Sequence, residues 1–161
     1  MSTPLDDERL TAVGLFLETH AGLSALLRRR VAEHPDLPDQ SLEVLLRLAR
    51  SGGELRMSDL AAQAGLSPSG LTRAVDRLEA AGLVGRRSCP SDRRGAFAVV
   101  TDKGRKTLEA VIPAHLADID EHFTGLLSAE EFAAFTATLR KLRDHLNPGA
   151  ARVPGGCLGG Q

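Results

Sequence analysis

The chain predicts a mainly α-helical fold, with a winged helix-turn-helix at its centre and further helices at its N- and C-terminal ends. Three observations carry this expectation. The first is the stretch from Ser58 to Leu78. Ser58 is a good N-cap for a short helix whose Leu60, Ala61 and Ala64 share an apolar face, and Gly65 supplies the left-handed residue that ends it. Ser67 caps a second helix with Pro68 at its first position, where the missing N–H costs nothing. Leu71, Ala74, Val75 and Leu78 form the inner stripe of that helix, and Ser69, Thr72, Arg73, Asp76 and Arg77 its outer side. The second observation is the hairpin that follows. Gly82 stops the helix, Leu83 and Val84 open a strand through Arg87, residues 89–95 make a polar turn, and Phe97 to Val100 return as a strand. The third is a surplus of apolar helix at both ends, more than a small winged module covers.

Taken in order, the residues up to Asp7 form a frayed start. A long helix then runs from Glu8 to about Arg30, with Leu10, Val13, Leu17, His20, Ser24 and Leu27 at three–four spacing and Leu23 and Leu26 widening the stripe. Arg28, Arg29 and Arg30 close it with positive charge, favourable at the end of a helix dipole; capping and solvation are the preferred reading of that run over DNA contact. His34 to Pro38 is a rigid loop, after which Asp39 or Ser41 caps a helix through Arg50 with Leu42, Leu45, Leu46 and Leu48 apolar. Ser51-Gly52-Gly53 breaks it, and Leu55 to Met57 is expected as a very short strand pairing with the hairpin. Beyond the hairpin, Thr101 caps a helix carrying Leu108, Val111, Ile112, Leu116, Ile119 and Phe123. Pro113 inside it is expected to kink it or loosen the preceding turn, since a mid-helix Pro costs ~3 kcal/mol. Ser128 and Glu131 make a capping box for a last helix, where Phe132, Phe135, Leu139, Leu142 and Leu146 form a seam suited to another helix. Asn147-Pro148-Gly149 ends it, and the Gly-rich remainder is expected to be disordered.

Composition narrows the function. The chain has 161 residues, enough for a real core, and no run of apolar residues approaches the ~18–20 that a membrane span needs. With no signal peptide at its start, a soluble, cytoplasmic protein without a membrane partner is expected. Cys89 and Cys157 form neither a disulfide framework nor a paired ligand motif. Trp and Tyr are absent, so no aromatic platform stacks unpaired bases. The net charge of −1 is unevenly spread: residues 55–106 hold ten bases against five acids, a net of +5, and the rest carries −6. Charge gathered on the winged segment is the footprint of a phosphate-facing surface, and double-stranded DNA is the expected partner. No paired carboxylates in a supporting context, no nucleophile with a base and no Gly-rich phosphate loop point to an enzyme, and no cofactor is expected.

At this point the chain resembles the MarR family of regulators. The resemblance rests on Asp92-Arg93-Arg94-Gly95 at the wing tip, on Leu78-Glu79-Ala80-Ala81-Gly82-Leu83-Val84 at the helix exit, and on Thr101-Asp102-Lys103-Gly104 opening the next helix. It divides the chain into residues 1–36 and 102–147 as a helical dimerisation region, 37–101 as the winged helix-turn-helix, and 148–161 as a disordered tail. The surplus apolar stripes need a two-fold mate, and the resemblance likewise implies a homodimer with interleaved terminal helices and a winged module at each flank. Two recognition helices about 34–36 Å apart then call for a pseudo-palindromic operator. The function expected is a sequence-specific transcriptional regulator, a repressor released by a small effector.

Ser69, Thr72, Arg73 and Arg77 are the expected groove-facing residues, with Arg73 and Arg77 bridging guanine edges or phosphates. Ser67 and Ser69 at the helix start are suited to a phosphate. Arg86 and Arg93 on the wing add DNA contacts, Arg94 resembles the family position that enters the minor groove, and Asp92 keeps the loop shaped. The resemblance also implies a crevice for a small aromatic or phenolic ligand, lined here by Phe16, Glu18, Thr19, His20, Leu23, Leu42, Leu46, Ile112 and His115. Two other sensors compete with it. His115, Asp118 and His122 share a helical face and, with His20 or Glu18, make a candidate metal site, while Cys89 among arginines is a candidate for oxidation. A winged module that mediates protein contacts or plays an architectural part is the alternative from another class; the Arg-rich wing opposes it.

Overall fold

The computed structural model describes residues 4–38, 41–89 and 92–151, with the backbone alone at 4, 89, 92–95 and 151. It is mainly helical, with one small sheet. Helix α1 (Glu8–Ala32) is followed by α2 (Leu42–Arg50), strand β1 (Glu54–Arg56), α3 (Met57–Ala64) and α4 (Pro68–Ala80). Strands β2 (Val84–Cys89) and β3 (Asp92–Val100) form the wing, and α5 (Asp102–His122) and α6 (Ala129–Leu146) complete the chain. Short 3-10 helices occupy Pro4–Asp6, Thr124–Leu126 and Pro148–Ala151.

Most local signals do what their chemistry requires. Asp7 caps α1, Thr101 caps α5 through the Gly104 N–H, and Ser128 and Glu131 form a reciprocal capping box on α6. Ser58 does not act as a cap. β1 runs straight into α3, so Arg56, held extended by pairing with Phe97, is the capping residue and the helix begins at Met57. Ser41 precedes α2 without a side-chain cap bond, and Asp39 lies outside the described residues. α5 runs unbroken through Pro113, which sits on its exposed side, where water can serve the carbonyl that the missing N–H leaves free.

The core lies in the winged module. Val44, Leu45, Leu48, Leu60, Leu71, Val75, Leu78, Leu83 and Val84 are almost fully buried there, joined by Leu108 and Val111 from the start of α5. The sheet order is β1-β3-β2, all antiparallel, with Arg56, Phe97 and Arg87 in one cross-strand row and Leu55, Ala98 and Arg86 in the next. Successive side chains of a strand point to opposite faces. Leu55 and Ala98 therefore face the core, and Phe97 faces out, buried beneath the guanidinium groups of Arg56 and Arg87, which lie 5.1 and 5.0 Å from its ring centre.

The terminal helices contrast with this. α1 gives one buried residue to the core, Val31, and α6 gives none. Leu10, Val13, Phe16, Leu17, Phe132, Leu142 and Leu146 are all exposed. Between α1 and α6 lies an apolar groove of about 730 Å³, lined among others by Val13, Phe16, Phe132 and Leu139. Taken by itself, α1 is long and apolar enough to cross a membrane, with an 18-residue window of mean hydropathy 1.4. This corrects the expectation of no such run: Glu18 and His20 interrupt the run without lowering its average below that of a span. The first residues of the tail depart from the expected disorder. Residues 148–151 form a 3-10 helix against α3, where Asn147 donates to the Ala62 carbonyl at 3.0 Å, and residues 152–161 lie outside the description.

Candidate nucleic-acid interface

The exposed side of α4 is built by its own caps. Gly65, at φ 65°, ends α3, while the N–H groups of Gly65 and Leu66 return to the carbonyls of Ala62 and Ala61. Ser67 Oγ then accepts from the Gly70 N–H at 3.1 Å and lies 3.3 Å from Ser69 Oγ, so two hydroxyls cluster at the positive end of the helix. A Cβ on Gly70 would stand 3.1 Å from Ser67 Oγ, a tight contact with the capping hydroxyl. Thr72 Oγ1 donates back to the Pro68 carbonyl at 2.9 Å, leaving the methyl group and oxygen lone pairs outward. Leu71, Ala74, Val75 and Leu78 are buried, which turns Ser69, Thr72, Arg73, Asp76 and Arg77 to the surface. Among the described residues, neither Arg73 nor Arg77 has an ion-pair or hydrogen-bond partner.

The end of α4 is locked as firmly as its start. The Leu83 N–H reaches the Leu78 carbonyl at 2.9 Å and the Gly82 N–H the Glu79 carbonyl at 2.9 Å, with Gly82 at φ 73°. α5 seats on this exit. Thr101 donates its N–H to the Leu83 carbonyl at 3.0 Å and its hydroxyl to the Gly82 carbonyl at 2.8 Å, and Lys103 Nζ reaches the Ala81 carbonyl at 2.9 Å. The backbone of Gly104 packs so closely that a Cβ there would collide with the Leu83 carbonyl oxygen.

Two neighbouring wing arginines differ. Arg86 turns inward to Asp76 and Glu79 of α4, and the Asp76 carboxylate raises its pKa above the ordinary value. Arg87 turns outward to Glu54 at 2.8 Å and to the Phe97 ring. Arg86 is therefore tied to acids of its own chain, which the sequence expectation of a DNA contact did not foresee. The side chains of Asp92, Arg93, Arg94 and Cys89 lie outside the description; β3 begins at Asp92, paired with Cys89 across a register shift.

The expected effector residues are divided between two crevices. His20, Leu42, Leu46 and His115 line a cavity of about 560 Å³ beneath α1, together with Ser24 and Glu43. Phe16, Thr19 and Leu23 line another of about 500 Å³ against Phe123 and Phe135, which shares His20; Glu18 lines neither. His115 is buried, its Nδ1 has no hydrogen-bond partner among the described residues, and burial pushes its pKa down against the opposing pull of Asp118 and Glu43. The metal face is not assembled: among the described residues no three His, Cys, Asp or Glu side chains gather to hold an ion. Asp118 is instead gripped by Arg30, with Nε–Oδ2 2.7 Å and Nη2–Oδ1 2.9 Å, and this pair holds its carboxyl below the usual range. Arg30 also bonds Glu33 at 3.0 Å, so a residue read as a capping charge is the anchor of α1 on α5.

Comparison with known proteins adds an independent line. The family model that matches residues 36–95 is that of the MarR family. The transcriptional regulator HosA of Escherichia coli is 35% identical over 111 residues, covering 68% of this chain and 80% of its own. MhqR of Bacillus subtilis, an HTH-type transcriptional regulator, is 34% identical over 61% of this chain and 67% of its own. Among solved structures, AbsC of Streptomyces coelicolor, a MarR family transcriptional regulator, is 35% identical over 91% of this chain and 99% of its own, with a TM-score of 0.80. Sco3205 of the same organism, a MarR family transcriptional regulator solved in complex with DNA, is 31% identical over 96% of this chain and 97% of its own, with a TM-score of 0.81.

Proposed function

The chain belongs to the MarR family of transcriptional regulators, and we propose that it acts in the cytoplasm as a homodimeric repressor of a pseudo-palindromic operator, released by a small aromatic or phenolic effector. The outward face of α4 carries this reading: two arginines without a partner among the described residues, beside a capped helix start bearing two hydroxyls. Arg73 and Arg77 contact guanine edges or phosphates, Thr72 offers its methyl and oxygen to a base edge, and Ser67 and Ser69 with the helix start hold a phosphate. On the wing, Arg93 and Arg94 reach the DNA, Arg94 in the minor groove, and Asp92 keeps the tip shaped.

The dimer is argued from the uncovered faces. α1 and α6 present opposed apolar surfaces around an open groove, and a second copy covers both at once. A lipid bilayer would not: the C-terminal end of α1 is pinned to α5 by the Arg30–Asp118 pair, and α6 offers a seam of matching apolar spacing. For the effector, the cavity of His20, Leu46 and His115 sets apolar walls beside the polar side chains of His20, Ser24 and Glu43, which can orient a ligand hydroxyl. A ligand there shifts DNA affinity only through its differential affinity for two dimer geometries.

The decisive experiment selects genomic fragments with purified protein and titrates a recovered duplex against salt. Arg73→Ala is expected to weaken binding roughly tenfold and, if the lost contact is a phosphate, to lower the slope of log K against log salt by about one. Retention of no duplex at low ionic strength would sink the reading.

A further inference from the structure

We propose that Arg86 is a positioning residue that sets the angle between the wing and the recognition helix, and that it makes no contact with DNA. Arg86 lies opposite Ala98, in the row whose other members face the core, and its guanidinium spans Asp76 and Glu79 of α4. A longer bond of 3.5 Å reaches the Thr72 carbonyl. Three acceptors on one helix thus hold a single planar donor, the rigid fork geometry that distinguishes arginine from lysine. Two carboxylates against one guanidinium leave the cluster with a net negative charge, so Arg86 presents no free cation to a phosphate. It cancels acids that would otherwise repel the duplex.

The place of this cluster explains why it matters. β1 pairs with β3 only from Phe97 to Val99, so beyond that row the wing is a two-stranded ribbon, interrupted by the register shift at Ser88 and Cys89. Such ribbons are marginal by themselves and twist readily. The direction of the tip is therefore decided at its base. There, Arg86 ties the inner face to α4, while Phe97 under Arg56 and Arg87 stiffens the outer one.

The proposal rests on the reading that Arg94 at the tip contacts DNA, and a double-mutant cycle tests it. On a duplex recovered by genomic selection, Arg94→Ala in the native chain is expected to weaken binding roughly tenfold. In an Arg86→Met background, and again with Asp76→Asn and Glu79→Gln together, the same change is expected to cost less than about twofold, since an unaimed tip has little contact to lose. The second background removes the bridge from the helix side and leaves Arg86 in place, so it serves also where Arg86→Met lowers the yield of folded protein. A full tenfold effect of Arg94→Ala in both backgrounds overturns the positioning role. An Arg94→Ala change that is silent in the native chain, while Arg73→Ala still weakens binding, overturns the wing-tip reading and the proposal with it.

Discussion

His115 shows what one side chain contributes beyond its polarity. Burial disfavours its imidazolium more strongly than Asp118 and Glu43 favour it, so the folded chain takes up this proton at lower pH than the unfolded chain, whose histidine titrates near ~6.5. Its contribution to stability is thus complete above about pH 6.5 and is lost as the pH falls from there through the folded value. Denaturant titrations at about pH 7.5 and 5.5 are expected to show a smaller stability difference for His115→Leu than for the native chain. An unchanged difference would mean that His115 is not the titrating group. Asp118 works in a separate window: its lowered value makes the Arg30 pair a source of stability that fades only in acid, below the ordinary carboxylate range. The residues legible in the sequence are those whose partners are neighbours, such as Ser67 with Gly70, or Ser128 with Glu131. Arg30 and Asp118 stand 88 positions apart, and local pattern alone suggests capping for Arg30 and a candidate metal face for Asp118.

Among the elements, α4 and the start of α5 carry the site. Ser67→Ala removes the acceptor of the Gly70 N–H and is expected to cost about 1 kcal/mol in urea unfolding, with weaker DNA binding as well if Ser67 seats a phosphate as proposed. Gly104→Ala meets a harder obstacle. The new methyl collides with the Leu83 carbonyl and lies 2.9 Å from Val100 Cγ2, so a loss of about 1–3 kcal/mol is expected despite alanine's better helix propensity. A thermal midpoint equal to or above that of the native chain would refute this packing account. In the sequence Gly104 stands out only as part of the motif that opens α5; its physical reason, a backbone pressed onto the exit of the recognition helix, appears only when Leu83 and α5 meet. The misplaced cap at Ser58 has the same origin, because pairing of Arg56 with Phe97 fixes where α3 starts.

For the whole molecule, the question is what covers the terminal helices. Leu139→Glu puts a charge into the seam shared by the two α1–α6 crevices, and a shift to monomer in sedimentation is expected, with helical content retained. A monomer engages one half-site at a time, so operator affinity is expected to fall on the order of a hundredfold. A dimer that survives this change would show that the apolar faces are covered in some other way.

By itself the sequence determined the winged helix-turn-helix, the inner and outer sides of α4, the caps of α4, α5 and α6, and the concentration of positive charge on one module. Each follows from interactions within a few residues, where periodicity and capping chemistry act directly. Tertiary structure alone decided that Arg86 turns to α4 while Arg87 turns away, that Arg30 holds Asp118, and that Phe16 and His115 line different crevices. It decided as well that residues 148–151 return to α3. A strand's alternation tells which residues share a face, and only the packing of the sheet on its helices tells which face is inside.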